Sequence, residues 1–113
     1  MIYDLEERTA KFGEEIIKFV KTLKLNEINQ PLINQLIRSA TSIGANYMEA
    51  NQSSSKKDFK NKIAICKKEA NETKYWLRII AKVNLDKQEQ CKIFWKEAHE
   101  LTLIFAKIFK SCN

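Results

Sequence analysis

The sequence is short of the residues that bend a chain. Two glycines and one proline are all that 113 residues contain, too few for the many tight turns of a sandwich or barrel, or for a glycine-rich phosphate loop. Long helices are what remain. A single histidine, His99, reads as a surface residue off the apolar seam of its helix, and no nucleophile, base and orienting group stand at a recognisable spacing. The Glu-x-x-His pairs of helical di-iron sites are missing. No uncharged apolar run approaches the roughly 18 residues of a membrane span. Three cysteines, Cys66, Cys91 and Cys112, match neither a disulfide framework nor a paired zinc-ligand spacing, and read as reduced thiols. The first dozen residues carry acids and lack the apolar stretch of a secretory signal, so the expected address is the cytoplasm. These absences argue against an enzyme and call for no cofactor, no metal, no membrane and no small-molecule substrate.

What is present is heptad spacing. With 44% hydrophobic and 30% charged residues, the chain suits one globular domain spanning 1–113 with one core. Leu5, Thr9, Phe12, Ile16, Phe19 and Leu23 recur at alternating steps of four and three, the seam of a helix lying along neighbouring helices. Ile33, Leu36, Ala40, Ile43, Tyr47 and Ala50 repeat the pattern after Pro31, which is placed as a first helical residue. Phe59, Ile63, Cys66, Ala70, Thr73, Leu77 and Ile80 form a third seam, and Cys91, Phe94, Ala98, Leu101, Phe105 and Ile108 a fourth. Helices are therefore expected over about 4–24, 31–50, 55–83 and 86–110, with capping boxes at Asp4–Glu7 and Asp86–Glu89. The polar run Asn51-Gln52-Ser53-Ser54-Ser55 is a turn or loop. Short connections predict an all-α, antiparallel up-down-up-down four-helix bundle.

Some apolar side chains fall off these seams: Ile65, Trp76, Ile79 and Val83 on the third helix, Trp95 and Leu103 on the fourth. Either a broad apolar arc covers two neighbouring helices, or a homo-oligomer buries the second stripe.

The net charge of +6 is unevenly placed. Residues 1–50 hold six bases and seven acids, whereas 51–113 hold fourteen bases and seven acids. On the third helix Lys56, Lys60, Lys67, Lys74 and Arg78 fall within roughly 40° of one another, a line about 33 Å long. Such a stripe can follow a nucleic-acid backbone, or be simply a solvated helix face. Arginine is scarce and aromatics do not interleave the stripe, which argues against base-specific reading or a single-strand stacking platform.

On the second helix Arg38, Ser42, Ala45 and Glu49 share the face opposite the apolar seam, flanked by Ser39 and Asn46. Arg38 and Glu49 lie about 16 Å apart along the axis, so each needs a partner on another helix or subunit. Glu69 and Glu72 flank the apolar arc of the third helix and are candidate partners for Arg38 or for a lysine across an interface. Ser42, Asn46, Glu49, Glu69, Glu72 and Arg38 are thus candidate packing or subunit-interface residues.

Several segments carry a family resemblance: Tyr3-Asp4-Leu5-Glu6-Glu7-Arg8, the run from Arg38 through Ser42-Ile43-Gly44-Ala45-Asn46-Tyr47-Met48-Glu49-Ala50, Ser55-Lys56-Lys57-Asp58-Phe59, and Lys68 to Leu77. Over roughly residues 3–109 the chain resembles the 23S ribosomal RNA intervening-sequence proteins. The resemblance implies a small bacterial four-helix bundle that assembles as a homopentamer with a central channel, its biochemical function largely unassigned. The family's Arg, Asn and Glu of helix two match Arg38, Asn46 and Glu49, and its Glu of helix three matches Glu69 or Glu72. The chain has Gly44 and Ala45 before that Asn and lacks the glycine many members place after Glu-Ala. A similar pentameric bundle, the accessory protein of diversity-generating retroelements, binds a reverse transcriptase and its RNA. The leading expectation is a non-enzymatic homo-oligomer that binds RNA or a ribonucleoprotein through Lys56, Lys60, Lys67, Lys74 and Arg78. The alternative is a protein–protein adaptor or assembly protein with no nucleic-acid role.

Overall fold

In a computed structural model that describes residues 4–112, each of the four seams becomes the buried edge of a helix. The elements are α1 (Asp4–Val20), α2 (Asn29–Asn51), α3 (Lys56–Val83), a short 3-10 turn (Leu85–Lys87) and α4 (Gln88–Ser111), with no strand among the described residues. Tyr3, part of the resemblance, lies outside them.

The helix ends differ from expectation where a side chain or a tighter turn takes over the capping. α1 stops at Val20, and three-residue turns carry the chain onward, Thr22 N–H donating to the Phe19 carbonyl and Leu23 N–H to that of Val20. Leu23 still reaches the core. α2 begins two residues before Pro31 because the Asn26 side-chain carbonyl accepts the backbone N–H groups of Ile28 and Asn29, at 3.1 and 2.7 Å. Asn26 therefore satisfies two of the donors that the first turn of α2 leaves without a helical partner. α3 is capped by Ser55, whose hydroxyl accepts the Asp58 N–H at 3.0 Å. The expected box at Asp86–Glu89 does not form: the 3-10 turn occupies Leu85–Lys87, and Lys87 precedes α4 without a side-chain cap. Asp4 is already helical, so the box expected at Asp4–Glu7 is not how α1 is capped.

All helix pairs around the bundle are tied by named contacts. Between α1 and α2, Asn51 donates to Glu6 at 2.9 Å, and Thr9 faces Gly44 and Thr41 faces Gly13. Between α2 and α3, Lys62 reaches Glu49, Cys66 lies against the Ile43 carbonyl, Thr73 meets Ser39 and Asn84 meets Asn29. Lys60 and Lys67 lie over Phe109, and Lys74 over Trp95, joining α3 to α4. α1 meets α4 through long side chains, Arg8 with Glu97 and Glu100, and Phe12 and Phe19 with Phe94.

The core runs the length of this rod, which measures 44 × 20 × 19 Å. Ile16, Leu36, Ile43, Ile63, Leu77, Ile80, Leu101 and Phe105 are fully buried along it. At roughly 1.5–3 kcal/mol per large side chain, their removal from water is the main term holding the helices together. Small seam residues, Ala40, Ala70 and Ala98, allow close helix approach between them. Polar seam residues are satisfied locally: Thr9 bonds the Leu5 carbonyl, and the Thr73 hydroxyl lies 2.8 Å from both Ser39 Oγ and the Glu69 carbonyl.

Candidate nucleic-acid interface

α3 sets the acids Glu69 and Glu72 and five of its nine bases on different flanks. With Ile65 as origin and 100° per residue, Glu69, Glu72, Trp76, Ile79 and Val83 lie within about 40° of it, whereas Lys56, Lys60, Lys67, Lys74 and Arg78 cluster about 140–180° away. The buried seam runs between. One flank faces α2 and the other faces α4.

On the α2 flank the acids are occupied. Arg38 donates to Glu69 at 3.1 Å and also to Glu72, and Glu72 accepts the Trp76 indole N–H at 2.9 Å. The sequence's candidate partnership of Arg38 with these acids is thus made inside one chain. The indole N–H, followed by the guanidinium, holds the Glu72 carboxyl below the usual glutamate range against the opposing effect of desolvation. Desolvation works against the Arg38 charge, and the two carboxylates outweigh it, leaving its pKa raised. Glu49 takes Lys62 at 2.7 Å, which raises the ammonium's pKa through that hydrogen bond. Ser42 and Asn46 turn inward on their own helix, bonding the carbonyls of Arg38 and Ser42. Arg38 and Glu49 therefore find partners on α3, and the line joining them is a two-helix clamp.

The α4 flank carries the line of bases. Among the described residues none of Lys56, Lys60, Lys67, Lys74 or Arg78 enters an ion pair. The expectation that no aromatic interleaves this stripe is corrected by α4. Lys60 Nζ stands 4.7 Å and Lys67 Nζ 5.8 Å from the centre of the Phe109 ring, and Lys74 Nζ 5.2 Å from that of Trp95. Lys74 Nζ also lies 3.0 Å from His99 Nδ1, and His99 stacks on Trp95 at 5.2 Å with 18° between planes. His99 is half-buried and partnered, not the plain surface residue expected. Trp95 and His99 at i and i+4 were the signal available in the sequence; which α3 residues they face was not.

Chemistry elsewhere is sparse. Burial pushes the Cys66 thiol up to about 12 and Cys91 to about 11, so these seam cysteines behave as small apolar side chains. No cluster of three or more metal-ligating side chains occurs among the described residues, and no described helix is long and apolar enough to cross a membrane. Of the off-seam apolar residues, Ile65, Val83, Trp95 and Leu103 are exposed, and Trp76 and Ile79 are half-buried.

An all-α protein of four helices with a basic flank and a partnered polar clamp is the class these features define. The chain belongs to the 23S rRNA-intervening sequence protein family, whose model matches residues 3–110. It is similar to a solved protein of unknown function from the S23 ribosomal protein family of Bacteroides thetaiotaomicron, with 36% identity over 94% of this chain and 98% of that one, and a TM-score of 0.84. No curated protein matches the chain.

Proposed function

We propose that this protein is a non-enzymatic homo-oligomeric bundle that binds RNA or a ribonucleoprotein through the α4 flank of α3. The observation that carries the reading is the sorting of α3's charge. Two of its three acids, Glu69 and Glu72, are spent on Arg38, and five of its bases, Lys56, Lys60, Lys67, Lys74 and Arg78, line the other side with no ion pair among the described residues. A line of uncompensated cations about 33 Å long suits a phosphate backbone, where each neutralised phosphate releases counterions. The family's name, which refers to 23S rRNA, agrees with an RNA context, and a bacterial cytoplasm is the matching compartment.

The architecture within this proposal is a single antiparallel up-down-up-down domain. It is supported by contacts in which residue numbers rise along one helix as they fall along the next, as with Glu49–Lys62, Ser39–Thr73 and Asn29–Asn84. Assembly, as a homopentamer in line with the family resemblance, uses the opposite flank, where Ile65, Ile79 and Val83 leave apolar surface beside the Arg38 clamp. RNA and subunit contacts then occupy different sides of α3.

Salt titration of binding to a structured RNA tests the first part. Affinity should fall steeply with salt, and Lys60→Gln, Lys67→Gln and Lys74→Gln together should lower the slope of log K against log salt by about 3. Absence of binding at about 50 mM salt rejects the RNA role in favour of an adaptor that meets only protein. Light scattering tests the second part, a mass equal to the 13.2 kDa chain rejecting assembly.

A further inference from the structure

Trp95 is 38% exposed, yet it is held from two helices. His99, one turn along α4, stacks on it at 5.2 Å and 18°. Lys74 of α3 contacts His99 Nδ1 at 3.0 Å and places its ammonium 5.2 Å from the indole centre. In that contact the ammonium is the donor and Nδ1 the acceptor. The indole is thus oriented by a stacked ring and a bridging cation, with part of its surface left to solvent. A side chain of this size left uncovered but fixed is a ready surface for another planar ring, at little further cost in side-chain order.

Its surroundings supply the rest of a strand-binding groove. Lys67 and Lys60 continue from Lys74 along α3, and Phe109, half-buried beneath their ammonium groups, lies about 21 Å along α4 from Trp95. Lys92 and Lys96, both exposed, precede and follow Trp95 at i−3 and i+1. Cations on both sides of an exposed aromatic are the combination used for single strands, with the groove tracking the backbone and the ring taking a base. A duplex exposes its phosphates and 2′-hydroxyls and keeps its bases stacked inside, so it has no use for the indole.

We infer that the α3–α4 flank binds single-stranded RNA in preference to duplex, with an unpaired base stacking on Trp95 and with Lys74 and His99 as positioning residues that hold the indole. The inference rests on the RNA-binding reading above and specifies the strand that this flank takes. Because every base offers a ring face, the preference is for strandedness and carries no sequence code.

The test is fluorescence anisotropy at about 50 mM salt with two labelled probes, an unstructured single strand of about twelve nucleotides and a duplex of the same length. Trp95→Leu should weaken the single strand about tenfold and leave the duplex within about twofold, the scale of one lost base stack. Trp95→Phe should restore most of the loss, and His99→Ala should give a partial loss, since it frees the indole without removing it. Circular dichroism confirms that each variant keeps its helices. The lysine-to-glutamine triple variant should weaken both probes and lower both salt slopes. If that triple variant weakens binding while Trp95→Leu binds the single strand like the parent, the stacking inference is overturned and the basic-flank reading stands. A parent protein that prefers the duplex also overturns the inference. If the parent binds neither probe, the RNA reading itself falls.

Discussion

The side-chain amides of Asn29 and Asn84 bond each other in both directions, at 3.0 and 2.9 Å, across the end of the bundle where α2 begins and α3 stops. Each amide also holds backbone: Asn29 donates to the Lys24 carbonyl at 2.9 Å and Asn84 to that of Ile80 at 3.0 Å. Asn29 is 2% exposed, so truncation leaves buried amide and carbonyl groups unpaired. Asn29→Ala should cost about 1–3 kcal/mol, the desolvation penalty of an unmatched polar group. Thermal denaturation should show a midpoint lowered by several degrees. An unchanged midpoint would show that water replaces the pair.

The contrast between this pair and the core shows what the sequence reveals. Every seam residue named from heptad spacing is buried or half-buried, because one periodicity dictates which side of a helix leaves water. Asn29 and Asn84 carry no such signal. Each looks like a loop residue beside a helix end, and only the tertiary path brings two polar termini together. The same limit applies to the basic flank. Lys60, Lys67 and Lys74 are legible as a stripe along one helix, whereas their neighbours Phe109, Trp95 and His99 come from α4. Relative rotation of two helices about their axes is not encoded in the spacing of either one. Arg38, Glu69 and Glu72 were legible as possible partners because charged residues beside a seam have few places to go, but the Trp76 N–H that joins them was not.

Acid should loosen the α2–α3 clamp through Glu72. Trp76 and Arg38 hold its native carboxyl below the usual range, so its contribution is complete above the unfolded value of about 4.3 and is lost as pH falls through the lower native value. Glu72 and Arg38 are 29% and 44% exposed, which keeps the effect under about 1 kcal/mol. Trp76→Phe removes the N–H donor and keeps most of the ring. Its deficit in melting temperature should therefore contain a part that is present at pH 7 and shrinks as pH falls from the unfolded value of about 4.3 through the lower native value. A deficit constant across that range would assign the whole effect to packing.

Thiol chemistry should divide the cysteines by burial. Cys66 and Cys91 are buried with thiols pushed up to about 12 and about 11, whereas Cys112 is half-exposed at the end of α4. At pH 8 an aromatic disulfide reagent should titrate one thiol quickly in the native protein and three in denaturant, since the thiolate is the reacting form. Cys112→Ser should abolish the quick phase. Fast reaction of two or more native thiols would mean that the core opens on the timescale of the reagent.

The two glycines separate helix propensity from helix approach. Both lie inside helices where α1 and α2 cross, and neither needs a left-handed backbone. A methyl group built at Gly13 meets its nearest neighbour, Thr41 Cγ2, at 3.5 Å, an ordinary contact. One built at Gly44 meets Thr9 Oγ1 at 3.3 Å and the Thr9 backbone at 3.4 Å, so the buried Thr9 hydroxyl must give way by a few tenths of an ångström with the backbone close behind it. Alanine gains about 0.5–1 kcal/mol over glycine in a helix interior at either position. Gly13→Ala should realise that gain and raise the melting temperature by a few degrees. Gly44→Ala should fall short of it by about 1 kcal/mol or more, the lower end of what overpacking against a fixed neighbour costs. Side-by-side urea unfolding checks the order. Equal stabilisation by the two substitutions would show that α1 slides freely on α2, and that the glycine at 44 is not required for the helices to approach.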